Sequence, residues 1–381
     1  MKVYLLIFII FSCLVGNDIS VSHSRYYDIA EGEGFVFNPT FNQNGTIIST
    51  EVWGKGKLGR SIYFLDINTG MSKGIRKKQS SGKSMQGHSL VWSKVDEPIA
   101  YFISSQFGKQ YLYKINVRAF LDGTDNYLIN MTEAVLQTSK LNIFSLNTID
   151  FGDDDLLFIS YIINPHDSES RDVMFSFYFD NIRENLFSGM DNPFTDIRTF
   201  SDNSYFMALK MNPDNINEIY YFPEYDEPSE YQVISTHADS IFIYETQLPQ
   251  MDEYPLISFL GKKVKNQKDA ELYFISQDSI KPHLTPKSTS INITDDERDM
   301  LGYDHSWLPG EPIILYIKNT YIQSTGQVSQ DLYSYSLADN REEKVNLQLN
   351  NIRQITISSV GEKIAFCEIG TTRIIIADLK Y

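Results

Sequence analysis

The amino-acid sequence predicts an all-β protein, and three observations lead to this prediction. Apolar residues make up 42% of the 381 residues, with 24 Tyr and 24 Phe, which is enough for a sizeable core and excludes a wholly disordered chain. Helical periodicity is almost absent, since only residues 132–141 suit a short helix. A short strand with an apolar and tyrosine centre recurs along the chain. We therefore expect repeated antiparallel sheets.

The recurring strand sets the architecture. Its clear copies lie about fifty to sixty residues apart, a period typical of one four-stranded blade of a β-propeller. The copies are residues 61–66, 110–115, 174–179, 218–222, 271–275, 331–335 and 373–378. The spacing predicts a single propeller rather than a helical solenoid.

A second recurring element precedes the first by about twenty residues. In each copy an aromatic or apolar strand end is followed by Gly, Asn, Asp or Pro, where the chain must reverse, and then by an apolar strand. The copies are residues 41–48, 92–101, 307–315 and 357–365. We interpret each copy as a hairpin, and its aromatic residue as packing between neighbouring blades.

These residues resemble the TolB-like, WD-repeat-like propeller family. The family's blade motif runs aromatic-Ser-Pro-Asp-Gly-Lys before an apolar strand, and a second motif runs Ile-Tyr-x-x-Asp-x-x-Thr-Gly. Residues 62–70 match the second motif closely, whereas no copy keeps the full Ser-Pro-Asp-Gly. Parts of the first motif remain at Trp92-Ser93, Leu308-Pro309-Gly310 and Asn44-Gly45. The resemblance implies the fold over most of residues 35–380, but this fold hosts many functions.

The length predicts about seven four-stranded blades, with six as the alternative because residues 194–254 are ambiguous. Residues 25–29 supply an outer strand for the last blade, so that an N-terminal strand closes the ring and removes a free sheet edge. The predicted organisation is a signal peptide and leader over residues 1–24 and a propeller domain over residues 25–381.

The first residues predict export. Lys2 precedes an uncharged apolar run, residues 3–11, which is too short to span a membrane and is typical of a secretory signal peptide. Ile-Phe-Ser-Cys at residues 10–13 resembles a bacterial lipobox, which predicts a lipid on Cys13. The alternative is ordinary cleavage near Gly16 or Ser24, which discards Cys13. We expect the mature protein in the periplasm or at the cell surface, lipid-anchored or not, without a transmembrane span.

Charge and cysteine content exclude several classes of protein. Asp and Glu number 49 against 33 Lys and Arg, giving a formal charge of −16, so a nucleic-acid partner is not expected. Two cysteines exclude a disulfide-stapled scaffold and a cysteine-rich zinc module. Cys367 lies in an apolar run and is predicted to be a buried core thiol. We expect a monomer.

Common catalytic motifs are missing from the sequence. It contains no Gly-x-Ser-x-Gly elbow, no phosphate-binding loop, no dinucleotide fingerprint and no His-Glu-x-x-His. This favours a protein that binds a partner without transforming it.

The candidate ligand site lies where inner strands enter the central channel. The register of the repeat places His88, Asp304, His305 and Arg353 at these entries, and His237 in a less defined blade. Three histidines, a carboxylate and an arginine could together hold a metal or an anionic group. Propeller lyases that act on acidic oligosaccharides place metal-binding histidines there, and the resemblance allows a similar arrangement here.

Two functions follow from these features. The first is an exported, non-catalytic propeller that binds or scaffolds envelope proteins and uses no cofactor. The alternative is a metal-assisted lyase or hydrolase that acts on a glycan through the channel histidines and needs a divalent metal. Bound stoichiometric metal and unsaturated products from uronate polymers would separate the second function from the first.

Overall fold

The structure is a computed structural model that describes most of the chain. The described ranges are residues 19–30, 34–54, 59–75, 86–95, 97–106, 109–124, 127–132, 136, 140–151, 154–167, 169, 171–179, 182–199, 206–211, 217–222, 231–234, 242–247, 256–262, 271–276, 305–322, 327–338, 341–347 and 351–381. Within them the elements are almost all strands, which confirms the predicted all-β class.

The first half of the chain forms strand β1 and three sheets. β1 is Ser20–Asp28. The first sheet contains β2 (Gly34–Phe41), β3 (Ile47–Gly54), β4 (Arg60–Asp66) and β5 (Ser72–Gly74). The second contains β6 (Gln86–Trp92), β7 (Ile99–Gln106), β8 (Lys109–Asn116) and β9 (Leu128–Asn130), with α1 (Val117–Asp122) between the last two. The third contains β10 (Leu141–Phe151), β11 (Asp154–Ile163), β12 (Asp172–Phe179) and β13 (Ile182–Phe187).

The second half forms four more sheets. The fourth sheet contains β14 (Phe194–Thr199), β15 (Phe206–Met211), β16 (Asn217–Phe222) and β17 (Gln232–Ile234). The fifth contains β18 (Phe242–Gln247), β19 (Leu256–Lys262) and β20 (Glu271–Ser276). The sixth contains β21 (His305–Trp307), β22 (Ile313–Ile322), β23 (Gln327–Ser336) and β24 (Arg341–Val345). The seventh contains β25 (Ile352–Ile357), β26 (Lys363–Glu368), β27 (Arg373–Lys380) and, at its outer edge, β1.

The recurring apolar and tyrosine segment occupies one position in every sheet. Each of its seven predicted copies forms the third strand, namely β4, β8, β12, β16, β20, β23 or β27. The predicted hairpins over residues 41–48, 92–101, 307–315 and 357–365 each join the first strand of a sheet to the second. The sequence repeat therefore corresponds to one meander of antiparallel strands.

The central strands are largely apolar because both of their faces are buried. On β4, Ile62 and Phe64 pack toward the second sheet, whereas Tyr63 and Leu65 pack toward the seventh. Successive side chains of a strand point to opposite faces, so a sheet packed on both sides favours apolar residues on both faces of its strands. The prediction that Cys367 is a core thiol is confirmed, since it is fully buried on β26 between the first and seventh sheets.

The turn between β25 and β26 illustrates the requirement for glycine in these hairpins. Gly361 has a φ of +73°, and a Cβ atom there would lie 2.1 Å from the Tyr381 hydroxyl oxygen. That hydroxyl donates a hydrogen bond to the Pro309 carbonyl oxygen at 3.1 Å. Only glycine allows both the backbone conformation and this close approach of the chain's last residue.

Strand β1 pairs antiparallel with β27, so the seventh sheet combines residues from both ends of the described chain. The pairing begins with Ser20 opposite Lys380, ahead of the predicted domain start at Arg25, and shifts register between Ser22 and Arg25. The β2 strand of the first sheet packs in turn on β25 and β26. The first and last sheets are therefore neighbours in space.

Only one helix is assigned in full within the described ranges. It is α1, where the Asn116 side chain accepts a hydrogen bond from the Ala119 amide at 3.0 Å and Gly123 ends the helix in a left-handed conformation. Most of the helix predicted over residues 132–141 lies outside the described residues, but Thr132 and Leu136 are helical. None of the described helices has the length and apolar character needed to cross a membrane.

The first strands of neighbouring sheets contact one another, as β2 does with β25, β6 with β10, and β10 with β14. In a propeller these are the inner strands around the axis. We call the end of the sheets at which the inner strands begin the start face. We call the opposite end, where the first hairpin of each sheet turns, the turn face.

Candidate functional site

A β-bulge interrupts nearly every inner strand that the structure describes. The pairing register shifts in β2, β6, β10, β14, β18 and β25. Four non-glycine residues at or beside these shifts have positive φ, namely Asn38, Ser89, Asp196 and Gln354. A bulge bends its strand and re-aims the side chains around it. The bulges therefore control which side chains of the inner strands reach the start face.

Four side chains of the first sheet form an open cluster at this face. Phe35 lies opposite Trp53 in the register of β2 and β3, and Trp53 lies opposite Arg60 in that of β3 and β4. The Phe35 and Trp53 rings stack at 6.1 Å between centroids, with 23° between their planes. The Arg60 guanidinium lies 5.1 Å from the centroid of the Phe37 ring and 5.9 Å from that of Trp53. We call these four residues and Arg353 the aromatic–arginine cluster.

Arg60 is held by a buried carboxylate. Its Nε and Nη2 atoms donate to Glu51 Oε2, the first at 3.0 Å, and the Glu51 side chain is only 5% exposed. The other oxygen, Glu51 Oε1, accepts a hydrogen bond from the Ser89 amide at 2.8 Å. This amide lies at the bulge of β6, so the neighbouring sheet fixes the carboxylate that fixes the arginine.

Arg353 reaches the same cluster from the seventh sheet. Its Nη2 atom donates to the Val36 carbonyl oxygen, and its guanidinium lies 5.4 Å from the centroid of the Phe35 ring. Its Nε atom is buried and has no hydrogen-bond partner among the described residues. Burial lowers the pKa of Arg353 from its ordinary value. An arginine remains charged at neutral pH even so.

A reciprocal pair of hydrogen bonds lies beside Arg353, between the first and seventh sheets. The Asn38 amide donates to Gln354 Oε1 at 2.8 Å, and Gln354 Nε2 donates to Asn38 Oδ1 at 2.9 Å. Both residues have positive φ at the bulges of β2 and β25. The pair joins residues 316 positions apart and fixes the boundary on which the cluster sits.

His88 lies on the other side of the first sheet, half-buried near the start of β6. Its Nδ1 atom is 3.0 Å from Ser89 Oγ and its Nε2 atom is 3.2 Å from Ser105 Oγ. Burial and, to a smaller extent, the positive charge of Arg60 lower the pKa of His88 to about 4. Both ring nitrogens therefore have hydroxyl partners, and the imidazole is neutral at pH 7.

His305 begins β21 and is fully buried between the fifth and sixth sheets. Its Nε2 atom lies 2.8 Å from Ser258 Oγ, which also accepts a hydrogen bond from Trp307 Nε1 at 2.9 Å. Its Nδ1 atom has no partner among the described residues. Burial and then the charge of Arg198 lower the pKa of His305 to about 3. The residue is part of the core rather than of an accessible channel mouth.

The three sequence-predicted residues that the structure describes, His88, His305 and Arg353, do not form one group. Arg353 and His88 flank the first sheet, whereas His305 contacts Ser258 and Trp307 elsewhere. His237, Asp304 and the predicted lipidation site Cys13 lie outside the described residues. Among the residues that are described, no three His, Cys, Asp or Glu side chains are placed to share a metal ion.

Sequence reasoning missed most of the aromatic–arginine cluster. Phe35, Phe37, Trp53 and Arg60 were not singled out, because strand pairing joins positions that are distant in sequence. One signal was available: Phe35 and Phe37 alternate on one face of β2, at the strand end nearest the loop, where polar residues are usual. Trp53 is 51% exposed, whereas Trp92 and Trp307 are buried.

Comparisons with known proteins identify the fold and no family. No protein-family model matches this sequence, and no curated protein matches it either. Among solved structures, the Dos1 propeller aligns with a TM-score of 0.56 at 12% identity, covering 94% of this chain and 95% of that chain. The β-propeller domain of Swd1 from Myceliophteria thermophila aligns with a TM-score of 0.52 at 12% identity, covering 94% and 99% respectively.

TolB from Acinetobacter baumannii is also similar, with a TM-score of 0.42 at 13% identity over 66% of this chain and 54% of that chain. At identities this low the similarity concerns the fold alone. The Dos1 and Swd1 alignments show that the chain has a β-propeller fold, and its membership of the TolB-like group within that fold stays an expectation from its motifs.

Proposed function

We propose that this protein is a non-catalytic propeller that binds a partner protein at its start face. The observation that carries the proposal is the aromatic–arginine cluster, in which exposed Trp53 and Phe35 lie beside two arginines at one end of the inner strands. Aromatic residues and arginine are the side chains most enriched at the centres of protein interfaces. A rigid ring of sheets suits such a role because loops and strand ends at one face vary without disturbing the core.

The alternative enzyme function has weaker support. A metal-assisted lyase needs several histidines around one shared ion. His305 is fully buried with Nε2 on Ser258, and both ring nitrogens of His88 have serine hydroxyl partners. These contacts favour structural roles for the two histidines.

We propose further that the seven sheets are the blades of one ring closed by β1. The pairing of β1 with β27 and the packing of β2 on β25 and β26 support this arrangement. The third-strand position of every predicted repeat supports the count of seven.

Export remains part of the proposal, with the cell envelope as the location. Ser20 and Val21 pair with β27, so cleavage near Gly16 would keep these contacts and cleavage near Ser24 would remove them. We therefore favour the earlier cleavage, or lipidation of Cys13. Deleting residues 2–16 should leave the protein in the cytoplasm. Unchanged membrane fractionation of Cys13→Ser would contradict the lipid anchor.

Site-specific photo-crosslinking tests the binding function. Ile369 and Val360 lie in the turns after and before β26, at the start face and the turn face, and are 45% and 55% exposed. A crosslinking residue at position 369 should capture one envelope protein, and the same residue at position 360 should not. Capture from position 360 alone, equal capture from both positions, or no adduct from either would overturn the proposal. Release of unsaturated uronate products would overturn the non-catalytic assignment.

A further inference from the structure

We infer that the aromatic–arginine cluster recognises an acidic segment of the partner protein, with a carboxylate on Arg353 and an apolar side chain on Phe35 and Trp53. The inference rests on the proposed function and names the chemistry of the segment that the start face binds. It depends on three features of the cluster. These are the hydrogen-bond partners of Arg353, the exposure of the aromatic rings, and the balance of hydrogen-bond donors and acceptors.

The two arginines of the cluster differ in what their guanidinium groups contact. Arg60 has a carboxylate partner, Glu51, which is itself held by a backbone amide. Arg353 donates to one carbonyl oxygen, and no carboxylate among the described residues pairs with it. Its buried Nε atom also lacks a partner in the described part of the chain. A half-buried guanidinium with unused donors is a strong carboxylate-binding group, because charge-assisted hydrogen bonds form at its fork.

The aromatic rings next to Arg353 are unusually open. Trp53 is 51% exposed and Phe35 is 37% exposed, whereas Trp92 and Trp307 are 8% and 4% exposed. The rings are stacked on each other, and Arg353 and Arg60 lie against them. Such rings lose little side-chain freedom on binding, so they offer apolar area at a small entropic cost.

The polar groups of the cluster select the kind of ligand. Those with unused capacity are guanidinium donors, and the carboxylate of Glu51 already accepts from Arg60 and Ser89. A sugar presents many hydroxyl donors that need acceptors. A carboxylate beside an apolar side chain needs donors and apolar area only. The chemistry therefore favours an acidic peptide segment over a glycan.

The acidity of the whole chain does not prevent this recognition. The formal charge is −16, but the Debye length is about 8 Å at physiological ionic strength. A short acidic segment on Arg353 interacts mainly with nearby charges, and the cluster itself contributes two arginines, one of them paired with Glu51. Distant carboxylates lower the association rate more than they change the contact itself.

A peptide array tests the inference with the full mature chain. The array displays short peptides in which Asp or Glu alternates with Phe or Leu, beside matched peptides carrying Asn or Gln. We expect binding to the acidic peptides to be at least about tenfold tighter than to their amide counterparts, as one charge-assisted pair supplies. Binding should also change the fluorescence of Trp53, and Trp53→Phe should abolish that change because the other two tryptophans are buried.

Two variants and one control locate the site. Arg353→Gln should lose about tenfold in affinity for the acidic peptides and none for the amides. Trp53→Ala, at an exposed position that tolerates change, should weaken binding to both kinds of peptide. Arg25→Gln removes the same charge from exposed β1 and should leave binding unchanged. Circular dichroism and thermal unfolding check that each variant is folded.

Several results would overturn the inference. These are equal binding of acidic and amide peptides, no binding to either, an unchanged affinity in folded Arg353→Gln, or Arg353-dependent binding of a uronate oligosaccharide in place of the peptides. The proposed function is tested separately, because it would be contradicted by the absence of a crosslinked protein at position 369. Capture at position 369 together with a negative array would keep the binding face and reject its acidic specificity.

Discussion

Two clusters of this propeller each combine a tryptophan with polar side chains, and they differ in their access to solvent. The aromatic–arginine cluster of the first sheet contains a stacked tryptophan, a buried polar partner and an arginine with spare donors, and its rings are open. The cluster between the fifth and sixth sheets contains Trp307, Ser258 and His305, all buried. Polar side chains near the starts of inner strands are therefore part of the core between the fifth and sixth sheets. In the aromatic–arginine cluster they are accessible to a partner. The two tryptophans differ in burial, since Trp53 is open to solvent and Trp307 is buried.

Replacing His305 by alanine should have the largest effect on stability. The change removes a fully buried side chain and its hydrogen bond with Ser258, which should cost about 3 kcal/mol of unfolding free energy. Denaturant unfolding followed by circular dichroism measures the loss. His88→Ala is the matched control and should cost about 1 kcal/mol, because His88 is half-buried. Equal losses of unfolding free energy in the two variants would show that the buried His305 stabilises the fold no more than the half-buried His88 does.

The pH dependence of stability should test the burial of His305, and His88, whose pKa is about 4, should add a similar pH-dependent loss between pH 7 and pH 5. The pKa of His305 is about 3 in the folded protein, whereas a histidine in the unfolded chain takes up its proton near pH 6.5. The stabilising contribution is thus fully present above pH 6.5 and is lost as the pH falls toward 3. Between pH 7 and pH 5 the loss should be about 2 kcal/mol. The His305→Gln variant should lose less unfolding free energy between pH 7 and pH 5 than the unmodified protein. The same pH dependence in the variant would assign the effect to other groups.

Two tryptophan substitutions should change the unfolding free energy least, and they compare the two clusters directly. Trp307→Phe removes the hydrogen bond from Nε1 to Ser258 and should cost about 1 kcal/mol. Trp53→Phe changes an exposed ring and should cost less than about 0.5 kcal/mol. Thermal unfolding of both variants measures the difference. A larger loss for Trp53 would mean that the open cluster stabilises the fold and is not reserved for a partner.

The fold was predictable because its signals are local. Tyr63 with its apolar neighbours marks a third strand, and Gly361 marks a hairpin turn, within a few residues of sequence each. The same windows recur along the chain, so the repeat identified the architecture without any knowledge of pairing. The start of β1 at Ser20 was missed because its partner, Lys380, is 360 positions away.

The site was predictable only in part. The register of the repeat selected Arg353, which does reach an open cluster, and His305, which does not, because a register position gives no information on burial. The bulges were also not predicted, since Ser89 and Gln354 are not residues that usually adopt positive φ. Cross-strand neighbours such as Phe35 and Trp53 follow from pairing, which the sequence pattern alone does not specify.

The shared seventh sheet has a consequence for the order in which the chain folds. During synthesis the ribosome releases β1 early, but its partner β27 ends at Lys380, so this edge cannot pair until nearly the whole chain has emerged. Contacts between such distant residues are slow to form because a long loop must close first. Until then β1 is an unpaired strand, and the seventh sheet lacks its outer edge. If the protein is exported as we propose, this delay would help the chain to stay unfolded until it has been translocated.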